Sequence, residues 1–177
     1  MNTKKYLTKD DVLTRAREAI GIKLGALVER PGKGKGRVGL LIEKYWFGIE
    51  ANNNPSPDFK DAGVELKVTS YLYTQKRELR AKERLVCNII DYMDEHEKRE
   101  FRESSFWIKC NTILLMTYEY KKVPIEEYVI EKADFISFSK EDLLIMEKDW
   151  NLIVEKIRGG KAHEISESDT MYLGACT

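Results

Sequence analysis

The chain has 177 residues, 42% of them hydrophobic and only 4 proline, a composition that suits one folded domain with a sizeable core and excludes a disordered segment. Lysine plus arginine balance aspartate plus glutamate at 30 each, so bulk charge marks no polyanion-binding surface, and any contact with nucleic acid must rest on local placement. The three cysteines, Cys87, Cys110 and Cys176, are odd in number and far apart, which argues against a disulfide framework and a CxxC zinc site and fits a reducing, cytoplasmic setting.

The opening MNTKKYLTKDD has a basic tip without the apolar stretch of a signal peptide. Apolar residues nowhere run on for the roughly 18 positions a membrane helix needs, so no secretion or membrane span is expected. Thr8 and Asp11 have the spacing of a capping box. Val12, Ala16, Ala19 and Ile20 follow at helical intervals until Gly21, which predicts a first helix. A glycine-rich basic loop, RPGKGKGR at 30–37, then delivers the chain into Val38, Leu41, Ile42 and Tyr45, whose spacing predicts a second helix. The loop lacks the GxxxxGK[ST] spacing of a nucleotide-binding P-loop.

NNNPSPD at 52–58 carries turn chemistry throughout and predicts a loop. Immediately after it, Val64, Leu66 and Val68 alternate with Glu65, Lys67 and Thr69, the period of a strand with one apolar and one polar face. Further strands are expected at 85–91, 112–119 and 128–137, all rich in β-branched or aromatic residues. Ser139 and Asp142 predict the start of a long helix carrying Leu143, Met146, Trp150, Ile153 and Ile157 on one stripe and ending at Gly159 and Gly160. The elements together predict an α/β fold with a mixed sheet flanked by helices.

Residues two apart on a strand project to the same side, roughly 6.6 Å from one another, so Glu65 and Lys67 face one way. Asp58 can fold back beside them across the loop. Two carboxylates can grip a hard divalent cation, and a neighbouring ammonium can act on the water or phosphate it holds, which is the apparatus phosphodiester hydrolysis needs. An E-x-K tripeptide alone also decorates ordinary solvated strands, so these three residues do not by themselves select a nuclease. His96 and His163 lack ligand-type spacing and read as surface residues. Trp46, Phe47 and Trp107 read as core. The basic run Lys76, Arg77, Arg80, Lys82 and Arg84 is equally a phosphate-contacting loop or a solvated one.

Pro57-Asp58 followed by Glu65-Leu66-Lys67 is the PD…ExK pattern of the restriction-endonuclease-like nucleases. KGRVGLLIEKYWFG at 35–48 and PDFKDAGVELKVT at 57–69 together resemble the core of the MutH/Sau3AI family of DNA endonucleases. YLTKDDVLTRAREAIG, RLVCNIIDY, SSFWIKCNTILL and KDWNLIVEKIRGGKAHEISESDTMYL resemble its Sau3AI branch, so the likeness extends over nearly the whole chain. It implies a restriction-endonuclease-like core and a Mg²⁺-dependent type II site-specific deoxyribonuclease that cuts double-stranded DNA at GATC, 5′ of the G.

Carried over by position, the resemblance implies that Asp58, Glu65 and the Leu66 main-chain carbonyl hold Mg²⁺, that Lys67 is the catalytic lysine and that Glu43 is an additional acidic active-site residue. It also implies DNA contacts for Lys35, Lys109 and Tyr172. Read as bare sequence, these are equally a solvated loop lysine, a strand-edge lysine and a core tyrosine. Residues 1–177 are expected to be a single MutH-like catalytic domain, the N-terminal half of a longer protein whose C-terminal MutH-like allosteric domain binds DNA. Two other functions stay open: a MutH-like nickase of mismatch repair and a non-catalytic GATC-binding module.

Overall fold

The computed structural model describes residues 6–27, 37–50 and 54–175. In chain order they form α1 (Lys9–Arg17), α2 (Arg37–Leu41), a π-helical turn (Ile42–Phe47), β1 (Glu65–Tyr73), β2 (Leu79–Ala81), α3 (Tyr92–Glu95), α4 (Ser105–Cys110), β3 (Ile113–Glu119), β4 (Lys132–Phe135) and α5 (Lys140–Arg158), with short 3₁₀ turns between. The chain divides into two compact units, Met1–Cys87 with Lys109–Ile136, and Asn88–Ile108 with Ser137–Thr177.

The first unit is built on a four-stranded mixed sheet in the order β2-β1-β3-β4. β1 and β3 run parallel with Glu65 opposite Ile113 and Lys67 opposite Leu115, while the two outer pairings are antiparallel. α1 begins as expected, since the Thr8 side chain accepts the Asp11 N–H and the Asp11 carboxylate accepts the Thr8 N–H. Its apolar side, Val12 and Ala16, joins Leu41, Ile42, Leu66, Leu114 and Met116 in one continuous core.

The second helix departs from its predicted register. After Leu41 the backbone widens into the π-helical turn, so that Val38, Leu41 and Ile42 are buried while Tyr45 is exposed. A π turn takes more residues per revolution than an α-helix, which carries position 45 off the apolar side.

The expected strand at 85–91 is absent: these residues are irregular, and Val86 and Ile89 are exposed. Strand propensity is expressed only beside a partner, and β1 already has β2 and β3 as neighbours. The expected strand at 128–137 shortens to β4, its start replaced by single bridges from Ile130 to Ile20 and from Val129 to Lys23.

The second unit is mainly helical. α5 begins at the predicted capping box of Ser139 and Asp142 and ends at Gly159. It buries Met146, Trp150 and Ile153 as expected, and Asp149 and Val154 as well. Glu95 is buried in this unit, accepting the Trp150 indole N–H at 2.6 Å and the Ser105 main-chain N–H at 3.1 Å. The second bond satisfies a donor that the first turn of α4 would otherwise leave without a partner. Among the described residues no helix is long and apolar enough to cross a membrane.

Candidate active site

The loop from Asp58 to Glu65 turns back on itself. The Phe59 N–H donates to the Val64 carbonyl at 2.9 Å and the Val64 N–H returns a bond at 3.3 Å. Gly63, at φ +64, makes the reversal between them without the strain a side chain would bring. The ends therefore meet: the Asp58 N–H donates to Glu65 Oε2 at 3.1 Å, and the Leu66 N–H donates to Asp58 Oδ2 at 3.0 Å. Each carboxylate is held by main chain beside the other.

Glu65 is 2% exposed although it lies on what the alternation marks as the polar side of β1. That side is not solvated here. Lys67 shares it, with Nζ 2.9 Å from Glu65 Oε1. Lys109 approaches the other oxygen, Oε2, at 3.4 Å. It also donates to the main-chain carbonyls of Asn54 and Ser56 at 3.1 and 3.2 Å. Lys109 belongs to the last turn of α4, not to a strand edge; the serines before Phe106 were the overlooked signal, since the Ser104 hydroxyl accepts the Trp107 N–H as a helix cap.

Glu43 stands on the π-helical turn, and its Oε1 lies 3.8 Å from where a Cβ on Gly39 would be, over the small residue one turn earlier. Burial raises its pKa above the usual carboxylate value, and the charge of Asp58 raises it further. Burial likewise raises the pKa of Glu65, and the Asp58 charge adds to it although the Lys67 hydrogen bond pulls the other way. For Lys67, burial works to lower the pKa, but the hydrogen bond and charge of Glu65 carry it above the ordinary lysine value.

Three carboxylates thus face two ammonium groups in one half-buried cluster, which leaves a formal negative charge. Mutual repulsion among acids that cannot be fully hydrated is the setting a hard cation relieves. Among the described residues no three or more acidic, histidine or cysteine side chains form a ready metal cage. The Asp58 and Glu65 carboxylates, each held beside the other by a main-chain N–H, would suit a hard cation whose shell a main-chain carbonyl and water complete.

The structure thus brings Asp58, Glu65, Lys67, Glu43 and Lys109 together in the first unit. Tyr172 belongs to the second unit, where it is 48% exposed. Lys35 lies outside the described residues. Cys87 and Cys110, far apart in sequence, are neighbours with free thiols, the Cys110 Sγ 3.5 Å from the Cys87 carbonyl; Cys176 lies outside the described residues. His163 is exposed, whereas His96 is half-buried against the Tyr92 carbonyl. In the basic run, Lys82 pairs with Glu83 at 2.8 Å and lies over the Tyr120 ring.

Known proteins resemble this chain over most of its length. The family model described as DNA mismatch repair enzyme MutH matches residues 47–149. The chain is 41% identical over 177 residues to the type II restriction enzyme Sau3AI of Staphylococcus aureus, covering 97% of this chain and 36% of that protein. It is 26% identical over 168 residues to the DNA mismatch repair protein MutH of Shewanella woodyi, covering 90% of this chain and 70% of that protein. The MutH of Shewanella amazonensis is 29% identical over 166 residues, covering 89% and 71%. The chain thus spans about a third of the length of its Sau3AI relative and about seven tenths of its MutH relatives.

Proposed function

This chain belongs to the MutH family, with its restriction-endonuclease-like fold, and from that membership we propose that it is the catalytic part of a Mg²⁺-dependent, sequence-specific endonuclease cutting duplex DNA at GATC on the 5′ side of the G. The observation that carries the reading is the buried Glu65 carboxylate with Asp58 locked beside it and Lys67 2.9 Å away.

In this reading Asp58, Glu65 and the Leu66 carbonyl hold Mg²⁺. When bound, the ion supplies positive charge to the scissile phosphate and makes water a stronger acid. Lys67 keeps its proton at neutral pH, because its pKa lies above the ordinary value; it therefore stabilises negative charge on the phosphate or orients the attacking water by donating to it. Glu43 can take a proton from that water, since burial and the neighbouring Asp58 make its carboxylate a better base. Lys109 fastens the loop carrying Asp58 to Glu65 and offers positive charge to the DNA backbone. Lys35 contacts phosphate, and Tyr172 contacts base edges.

The longer relative supports a further partner, a second MutH-like domain of the same protein that binds DNA and strengthens the hold of this one on its substrate. The MutH relatives favour a second reading, in which only one strand is nicked during mismatch repair.

Plasmids with and without adenine-methylated GATC sites, incubated in Mg²⁺ or Ca²⁺ and sequenced at any new ends, test both. Linear fragments with ends 5′ of the G support the restriction reading, whereas open circles support the nickase. Binding without cleavage in Mg²⁺ at any enzyme concentration leaves a GATC-binding module instead.

A further inference from the structure

Two cysteines that the endonuclease reading does not use meet close to the site. Cys87 is the last residue before the chain leaves the first unit, and Cys110 comes one position after the chain returns to it at Lys109. The Cys110 Sγ donates to the Cys87 carbonyl at 3.5 Å, and the Cys87 Sγ donates to the Leu85 carbonyl at 3.6 Å. Both thiols are free. A disulfide needs α-carbons within about 7 Å of each other, and a sulfur resting against the backbone of its partner cysteine meets that demand with little movement.

The two differ in access. Cys110 is 0% exposed, whereas Cys87 is half-buried in irregular chain next to the exposed Val86. They differ in acidity as well, since each is the largest influence on the other: the Cys87 pKa is lowered and that of Cys110 is raised. Cys87 is thus the sulfur that a dissolved oxidant reaches and that forms the reactive thiolate more readily.

Cys110 is tied to Glu65 from both sides. The residue before it, Lys109, puts its ammonium 3.4 Å from Glu65 Oε2. Two residues after it, the Thr112 carbonyl accepts the Glu65 main-chain N–H at 2.9 Å. A bond that pulls Cys110 toward Cys87 therefore disturbs the groups that hold Glu65.

We propose that Cys87 and Cys110 are a modification site, an oxidisable dithiol that a peroxide converts to a disulfide, stopping DNA cleavage by drawing Lys109 and the Thr112 carbonyl off Glu65. The Cys87 thiolate attacks one peroxide oxygen, the O–O bond breaks, and a sulfenic acid and one water form. The Cys110 sulfur then attacks the Cys87 sulfur, the S–O bond breaks, and the second water leaves with the Cys110 proton. Two thiols are oxidised to one disulfide and the peroxide is reduced to two waters. The loss of cleavage rests on the endonuclease reading; the oxidation does not.

The test exposes the Cys176→Ser protein, which lacks the third thiol, to hydrogen peroxide and follows intact mass, disulfide-mapped peptides and plasmid cleavage in Mg²⁺. The expected result is the loss of two hydrogen atoms, a peptide pair joined through Cys87 and Cys110, and cleavage lower by about tenfold or more. Dithiothreitol should restore both mass and cleavage, which it would not do for oxidised methionine. Cys87→Ser in the same background should cut within about twofold of its parent and keep that rate in peroxide. Should that variant not fold, Cys110→Ala puts the same question from the buried partner.

Absence of the Cys87–Cys110 link, a link with cleavage unchanged, or equal reversible inactivation of Cys87→Ser would each overturn the proposal. A reduced protein that cuts no DNA would instead overturn the endonuclease reading and the switch with it. Peptide mapping would then still report whether the dithiol oxidises, so the two failures are distinguishable.

Discussion

The main-chain N–H of Asp58 donates to the carboxylate of Glu65 at 3.1 Å, so the six-residue loop between them closes on the pair of acids it separates. The two carboxylates are held together by backbone rather than by flexible side-chain packing. Like charges kept close in a half-buried place raise the cost of ionisation, and the site is therefore prepared for a cation and sensitive to acid.

Glu65→Gln keeps the shape of the side chain and the bond from Asp58 but removes the charge. Cleavage in Mg²⁺ is expected to fall by about a thousandfold or more, and Lys67→Ala is expected to reduce it comparably. Duplex affinity, measured by gel shift in Ca²⁺, should hold for Lys67→Ala within a few fold. For Glu65→Gln it should be equal or tighter without the metal, since a negative charge facing phosphate is gone. Full cleavage by either variant would contradict the assignment.

The raised pKa values of Glu43 and Glu65 set the direction of pH effects. A carboxyl whose folded pKa lies above its unfolded value contributes stability below the unfolded pKa and loses it as pH rises through the folded one. At neutral pH the ionised, half-buried Glu43 therefore costs stability. Glu43→Gln should raise Tm at pH 7 by about a few degrees, and the gain should vanish in thermal melts below pH 4.5, the unperturbed carboxylate value.

The same shifts make protons compete with the metal. As pH falls, cleavage at low Mg²⁺ should decline while still above pH 4.5, the ordinary value for Glu65. Raising Mg²⁺ should move the midpoint of that decline to lower pH. A midpoint indifferent to Mg²⁺ concentration would separate the acid limb from these carboxylates.

Lys109→Met preserves most of the aliphatic packing but removes the ammonium that joins Glu65 to the carbonyls of Asn54 and Ser56. The loop carrying Asp58 loses that tether, and cleavage is expected to drop about 10- to 100-fold. The apparent affinity for Mg²⁺, read from the concentration giving half-maximal rate, should weaken. Unaltered Mg²⁺ dependence would confine Lys109 to contact with DNA.

Leu114, 0% exposed at the centre of the first unit's core, faces no site chemistry. Leu114→Ala should cost about 2–5 kcal/mol in urea unfolding, with the midpoint shifted and the slope unchanged.

Both long-helix starts were legible because a capping box is a local pattern: Thr8 with Asp11 and Ser139 with Asp142 form the same reciprocal bonds that their spacing predicts. The alternation at Val64–Thr69 marked β1 for a similar reason, and it put Glu65 and Lys67 on one side, where the two are in contact. The strand expected at 85–91 failed because strand formation depends on a partner supplied by distant chain. The π-helical turn that carries Glu43 has no comparable signature, and of the two readings open for Lys109 the strand edge is replaced by the last turn of α4, a helix that Ser104 caps.

The sequence by itself determined that Asp58, Glu65 and Lys67 could meet where a turn-rich loop enters a central strand, since that follows from spacing over a few neighbouring positions. Tertiary structure decided their electrical state. Glu65 is buried, the Lys67 pKa rises and Lys109 reaches the Glu65 carboxylate from 44 positions away, because desolvation and long-range charge exist only once separate stretches of chain exclude water together.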